Sequence, residues 1–298
     1  PEFAHFSFRH TCGLEPSPST PHLVQWMNHQ KNQFSKVVDA DLSDDEMVVV
    51  DLSIGSLDLT NSVWEDMEAL TRLIGTPALG RYNEPRMIYT SDQFQTIKNN
   101  GHEWRTIHLG LDVFLPAGSQ VTTPLEGVVQ SVQNNDGHLD YGPTVILKHS
   151  PADVSTFYTL YGHLSNKVLK SLKNGDTIKA GKKIGEIGNE NENGGWPPHL
   201  HFQVITDCLN YYGDFPGVAR SSEREIWTSI SPDPSALLNL NSEGVVAKEI
   251  LPEEITTSRQ SNLSALLSVS YRKPLKIVRG WKQYLYDHTG RKYLDGVN

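Results

Sequence analysis

Cysteine is nearly absent from this 298-residue chain: Cys12 and Cys208 are the only two, far apart and without metal-type spacing. That excludes a disulfide framework and fits a cytoplasmic setting. No apolar run approaches the roughly 20 residues of a membrane span, and the start shows no export-signal pattern. A membrane is therefore not an expected partner. Positive charge is scarce as well, with 26 Lys and Arg against 35 Asp and Glu and a formal net charge of −9. A chain of this sign is repelled by nucleic acid and by anionic surfaces, so neither is expected as a partner. Repeats and low-complexity tracts are missing, and so is the helical His-Glu-x-x-His zinc motif. The opening Pro1-Glu2-Phe3 has no methionine and reads as a cloning remnant, so both ends are expected to be cut ends rather than natural termini.

What is present is length enough for a sizeable core and a pattern that changes along the chain. Residues 1–79 read as an α/β lead-in. Thr20 and Pro21 open a helix carrying Leu23, Trp26, Met27 and Phe34. Met47 to Leu52 is strand-like, and a Ser62…Glu65 capping box starts a second helix that ends at Gly75. Residues 80–206 change to short strands and glycine turns: Leu111–Leu115, Glu126–Val132, Thr144–His149 and Thr156–Leu160, then a hairpin from Gly175 to Ile187. Residues 207–270 read as a helical linker, with a Ser222…Glu225 box opening one helix and another over 253–268. Residues 271–298 form a small meander of Leu275–Val278, Lys282–Tyr286 and Lys292–Leu294. The expected class is α+β, a mainly antiparallel β core with flanking helices.

Three short boxes carry the chemistry. In Pro198-His199-Leu200-His201-Phe202, the two-residue strand period sends His199 and His201 to one face, roughly 7 Å apart. Leu200 and Phe202 then face a core. His108 and Asp112 are four apart, a spacing that shares a face in strand or helix. Tyr161-Gly162-His163-Leu164 places a third imidazole at a strand end. A catalytic zinc favours three nitrogen and oxygen ligands plus a water. His108, Asp112 and one of His199 or His201 supply that set, and spacing does not choose between the two. The histidines left over, His163 among them, are placed to move protons or stabilise an oxyanion. The other eight histidines (His5, His10, His22, His29, His102, His138, His149 and His288) read as surface or strand-end residues, with His149 kept as a candidate beside the site. Asp41 to Glu46 reads as a solvated turn rather than a calcium loop. Trp196 is either a substrate platform or a lid over the core.

In this order, with the Gly175–Gly181 hairpin between them, the boxes resemble the lysostaphin and LytM-type zinc endopeptidases. The resemblance covers about residues 80–206, including Pro116-Ala117-Gly118-Ser119 and Glu126-Gly127-Val128-Val129. It implies a groove of antiparallel sheet with Zn2+ at its floor, His108, Asp112 and His201 as ligands, and His163 and His199 as the catalytic pair. Two departures alter the groove rim: residues 188–194 replace a small Ser/Thr-rich loop, and Gln203 stands where the family often has glutamate. No ligand is lost, but the usual cross-bridge of peptidoglycan becomes a poorer fit. The expected substrate is a peptide or amide, peptidoglycan-like ones included.

A shorter stretch, Gly280 to Gly296, is similar to the opening meander of class-III pyridoxal-phosphate aminotransferases. The chain stops before any cofactor core, so no transaminase activity is expected of it. Together the resemblances imply the middle of a composite protein, with adjacent domains of the parent chain as partners. The expected function is a zinc metallopeptidase domain; the alternative is a catalytically idle scaffold or binding module of the same fold, attached to a composite of a small-molecule kinase-like domain and an aminotransferase.

Overall fold

The strand Leu200–Ile205 is buried along its whole length, and the main sheet extends outward from it on both sides. Its neighbours are Leu111–Phe114 and Phe157–Gly162, both antiparallel to it. Beyond Phe157–Gly162 come Gly142–His149, Gly127–Asn135 and Thr177–Ile178. Beyond Leu111–Phe114 come Ala78–Gly80 and Val48–Val50, which completes eight strands. Only the outermost pair is parallel. The computed structural model describes residues 2–11, 20–42, 47–60, 63–98, 101–248, 257, 261–262 and 275–296. Across these the class is α+β, mainly antiparallel with short flanking helices, as the strand pattern predicts. No helix among the described residues is long and apolar enough to cross a membrane.

Alternation decides which face of the sheet does what. Leu111, Val113, Leu200, Phe202 and Val204 pack into one core together with Leu23 and Met27 of the helix Thr20–Gln30. Each such side chain contributes about 1.5–3 kcal/mol by burial. The residues between them, Asp112, His201 and Gln203, therefore point to the opposite face. A second core lies with Leu52, Leu59, Trp64, Leu70, Ile74 and Phe114. The sheet itself runs across residue 80, since Val48–Val50 and Ala78–Gly80 belong to it.

Several local expectations are corrected. The two strands of the 175–187 segment form, but not as a hairpin with each other. Thr177–Ile178 pairs with Gly127–Asn135, whereas Lys183–Glu186 pairs with Gln120–Thr122. Burial drives the separation: Ile184 and Val121 both enter the main core. The second helix is Met67–Ile74, and its cap is Asp66, which accepts from Glu68 N at 2.9 Å and Ala69 N at 3.2 Å. Ser62 lies outside the described residues. Thr20 is the first helical residue, and its hydroxyl donates to Ser229 O at 2.6 Å instead of capping. Ser222 gives its hydroxyl to Glu103 (2.7 Å), so the box with Glu225 does not form and the helix is Arg224–Ile230. The helix expected over 253–268 falls almost wholly outside the described residues. The C-terminal meander is present as Ile277–Trp281, Tyr284–Asp287 and Lys292–Leu294. The Arg279 guanidinium ties it to the carbonyls of Ile54, Ser56 and Leu59.

Candidate metal centre

His201 and Asp112 sit directly opposite each other on neighbouring strands, so their side chains leave the same face together. On the other flank His201 is opposite Gly162, the last residue of its strand. The chain then turns at His163 with a left-handed φ of 62°. His108 ends the short strand Ile107–His108 and enters from the side. Gly110 lies between, where a Cβ would stand 2.7 Å from the His201 ring, so only glycine fits this crossing. His199 comes just before its strand begins at Leu200, and still reaches the same site. All five residues named from the sequence are brought together.

Three of them converge to one point: one ligand atom each from His108, Asp112 and His201 lies within 4.8 Å of the others. Asp112 Oδ1 is 3.2 Å from His108 Nε2 and 3.1 Å from His201 Nδ1. The two ring nitrogens are 2.9 Å apart. The tautomers follow from the outer partners. His108 Nδ1 is 2.9 Å from the Arg81 carbonyl, which only accepts, so this nitrogen carries the proton and Nε2 is bare. Gln203 Nε2 donates to Pro216 O (3.1 Å) and Ser231 Oγ (2.8 Å), which turns its Oε1 toward His201 Nε2 at 2.9 Å. His201 Nε2 is therefore protonated and Nδ1 bare. Three lone pairs thus face one another with every outer proton committed elsewhere. That is a repulsive arrangement unless a cation lies between them, and its N,N,O donors fit a divalent metal.

Charge around this point is controlled by a buried ion network that the sequence did not reveal. Arg86 Nη1 is 2.5 Å from Asp112 Oδ2, and Arg86 Nε is 3.0 Å from Glu84 Oε2. All three side chains are buried. The second carboxylate oxygen of Asp112 is thus occupied, which leaves Oδ1 for the centre. Burial alone would raise the Asp112 carboxyl, but the Arg86 guanidinium beside it, joined by His108 whenever that ring is protonated, holds it well below the usual carboxylate range. Burial, helped by Arg86, pushes the His108 imidazole down to about 3. It is neutral at pH 7 and able to ligate.

His163 and His199 form a second pair whose ring centroids are 4.2 Å apart. His163 Nδ1 donates to Asn193 O at 2.9 Å and His199 Nδ1 to Pro197 O at 2.7 Å, so both leave Nε2 bare. His199 Nε2 lies 3.8 Å from Asp112 Oδ1. Burial lowers both imidazoles, with the neighbouring His199 adding to the effect on His163. Tyr141 places its hydroxyl 3.5 Å from His201 Nε2. An open cleft of about 390 Å³ reaches His163 and His201 and is bordered by Arg105, Asp140, Tyr141 and Asp214.

His149 is not part of this group. It is buried in the sheet, with Nδ1 2.9 Å from Glu126 O and Nε2 2.7 Å from Thr159 Oγ1. Trp196 is less than a tenth exposed, donates to Asp140 O at 3.2 Å and borders the cleft.

Residues 106–211 match the family model described as Peptidase family M23. Among curated proteins no significant match is found. Similar solved structures include a zinc-containing peptidase from Vibrio cholerae, 31% identical over 33% of this chain and 27% of the other, with a TM-score of 0.27. The catalytic domain of the antimicrobial peptidase lysostaphin from Staphylococcus simulans is 25% identical over 42% of this chain and 81% of its own, TM-score 0.27. LytU is 25% identical over 43% and 70%, TM-score 0.29. The chain thus spans 27% of the length of the Vibrio peptidase. Arg86 and Glu84 lie outside the matched residues. The stretch 106–211, which holds all five site residues, is similar to peptidase family M23, and the activity class this supports is a metallopeptidase-like hydrolase.

Proposed function

We propose that the chain is a zinc-dependent peptidase, with His108, Asp112 and His201 holding the metal and His163 and His199 moving protons. The observation that carries this is the convergence of three bare donor atoms, with the protons of the two imidazoles held by Arg81 O and Gln203 Oε1. Zinc bound there would supply Lewis acidity toward an amide carbonyl and lower the pKa of an attacking water to about 7. The protein's own contribution is the neutral His163–His199 pair. Each presents a bare Nε2, able to accept a proton from the attacking water and return it to the leaving amine. The substrate is a peptide or amide bond. Residues 80–206 are read as the peptidase unit, 1–79 as a lead-in, 207–270 as a linker and 271–298 as the start of an aminotransferase-like domain. Adjacent domains of the parent chain are the partners and the cytoplasm is the setting.

A second reading, an idle scaffold that binds metal, is favoured by one observation: none of the five site residues is more than 5% exposed. Metal analysis with a peptide panel separates the two. Asp112→Ala and His201→Ala are expected to lower metal occupancy. His163→Ala and His199→Ala are expected to keep the metal and to lose about 100- to 10,000-fold in turnover. A wild-type protein that binds zinc and cleaves nothing would leave the scaffold reading.

A further inference from the structure

A second cavity, of about 30 Å³, adjoins the candidate site. Its apolar lining includes Leu52, Leu59, Trp64, Leu70, Ile74 and Phe114, and the same space is bordered by Asp112, His163 and His199. Each of these residues is less than a tenth exposed. Leu52, Leu59, Trp64, Leu70 and Ile74, with Arg86, Ile88 and Tyr89 beside them, lie outside the stretch that matches the peptidase family, whereas Phe114, Trp196 and Pro197 lie within it. One side of the cavity therefore comes from outside the matched stretch.

Two features say what the cavity takes. The first is chemistry. Most of the lining is aliphatic or aromatic carbon, and its Arg86 guanidinium and Tyr89 hydroxyl are engaged with Asp112 and with each other. Trp64, also in the lining, has a buried Nε1 with no hydrogen-bond partner. A buried donor without an acceptor is costly, and native proteins keep few of them. An acceptor brought in by a ligand resolves that cost, and a peptide carbonyl is one. The second is size. By the same measure a single water needs roughly 10–15 Å³, so this space admits a group of about two or three heavy atoms. A methyl or isopropyl group fits, whereas an aromatic ring does not. Apolar walls of this kind favour such a group over water.

We propose that this cavity is a side-chain subsite of the peptidase. It takes a small aliphatic side chain, alanine to valine in size, from a residue flanking the scissile amide, while Trp64 Nε1–H donates to a substrate carbonyl. The proposal rests on the peptidase reading and narrows it to a substrate class. The walls are held from two directions. Leu70 and Ile74 ride on the Asp66-capped helix Met67–Ile74, and Leu59 is fixed through its carbonyl by Arg279 of the C-terminal meander.

The test has a binding arm and a rate arm, both on the full zinc-loaded chain. In the first, N-methylisovaleramide, the valine acyl group without its amine on an amide, is titrated into nitrogen-15-labelled protein. A saturable shift of the Trp64 indole N–H and of the Leu70 and Ile74 amides is expected, and none with N-methylbenzamide. Trp64→Phe keeps the ring and removes the donor. It is expected to weaken the probe by about three- to tenfold, read at Leu70 and Ile74. In the second arm, matched peptides carry Gly, Ala, Val or Phe at the flanking position. Valine is expected to exceed glycine by about tenfold or more in kcat/KM, with phenylalanine rejected. Unmoved resonances in the wild-type protein would overturn the subsite, as would equal rates for Gly and Val, and the peptidase reading survives either. A saturable shift without turnover of any peptide leaves the subsite standing and removes the peptidase reading.

Discussion

His201 has two ring nitrogens, and Gln203 decides which of them is free. Its Nε2 donates to Pro216 O and Ser231 Oγ, so its Oε1 accepts from His201 Nε2–H at 2.9 Å and Nδ1 turns to the centre bare. Gln203→Leu removes that acceptor while keeping the volume close. It is expected to lower metal affinity by about 10- to 100-fold, as measured by chelator competition. Gln203→Glu retains an acceptor and is expected to stay near the parent value. An unchanged affinity in the leucine variant would mean that the tautomer is set by something else. Arg86 acts on the other side. Removing its charge in Arg86→Met leaves Asp112 Oδ2 buried without its counter-charge and Glu84 with Arg81 alone. A loss of about 3–5 kcal/mol is expected in denaturant unfolding of the metal-free chain. The five site residues were legible as imidazoles and a carboxylate in short boxes, although His108 and Asp112 lie on different strands and His163 and His199 lie just outside theirs. Gln203 was visible only as a departure, although the same period puts 199, 201 and 203 on one face. Arg86 could not be found this way: it meets Asp112 across a separation of 26 residues that no local spacing rule encodes. It fits beneath Gly80, where a Cβ would come within 2.6 Å of its Nη2.

At the scale of elements, strands were easier to read than their pairings. Leu111–Phe114 and Gly142–His149 fall within a few residues of the apolar runs that announce them. The pairing of Thr177–Ile178 and Lys183–Glu186 depended instead on where Ile184 and Val121 were buried, which is a property of the whole core. Helix starts failed for a related reason. Ser, Thr and Asp all suit an N-cap, and the Ser222 and Thr20 hydroxyls were drawn to distant partners, Glu103 and Ser229. Asp66 has no such competitor and caps Met67–Ile74 with two bonds. Asp66→Ala is expected to cost about 1 kcal/mol in thermal unfolding. Because that helix carries Leu70 and Ile74, the same variant should loosen the cavity beside His199 without touching the metal ligands. Metal affinity is expected to hold while the preference among peptide side chains flattens.

For the molecule as a whole, folding takes imidazoles out of water, and this makes stability depend on pH with a definite sign. His149 is the cleanest reporter, because it lies in the sheet away from the candidate ligands. Burial pushes its pKa down to about 4, with both ring nitrogens partnered in the neutral form. Unfolded, it titrates near 6.5. Between those values the unfolded chain binds a proton that the folded chain refuses. The contribution is therefore fully present above about pH 6.5 and is lost as pH falls toward 4. It amounts to about 1.4 kcal/mol per pH unit, roughly 3 kcal/mol over the window. In the metal-free chain the lowered His108, His163 and His199 add in the same direction. The depressed Asp112 carboxyl acts only lower, where the unfolded chain begins to protonate its carboxylates. Urea midpoints of metal-free protein are thus expected to fall steeply from about pH 6.5 to about pH 4.5. His149→Gln, whose amide does not titrate, should give a slope shallower by about one proton and leave metal affinity unchanged. Bound metal should move the fall to lower pH, since protons must first displace it from His108 and His201. If the His149→Gln slope equals the parent's, His149 takes up its proton in the folded chain. If the midpoint does not move with pH at all, the neutral imidazoles from which the metal centre was built do not exist in solution.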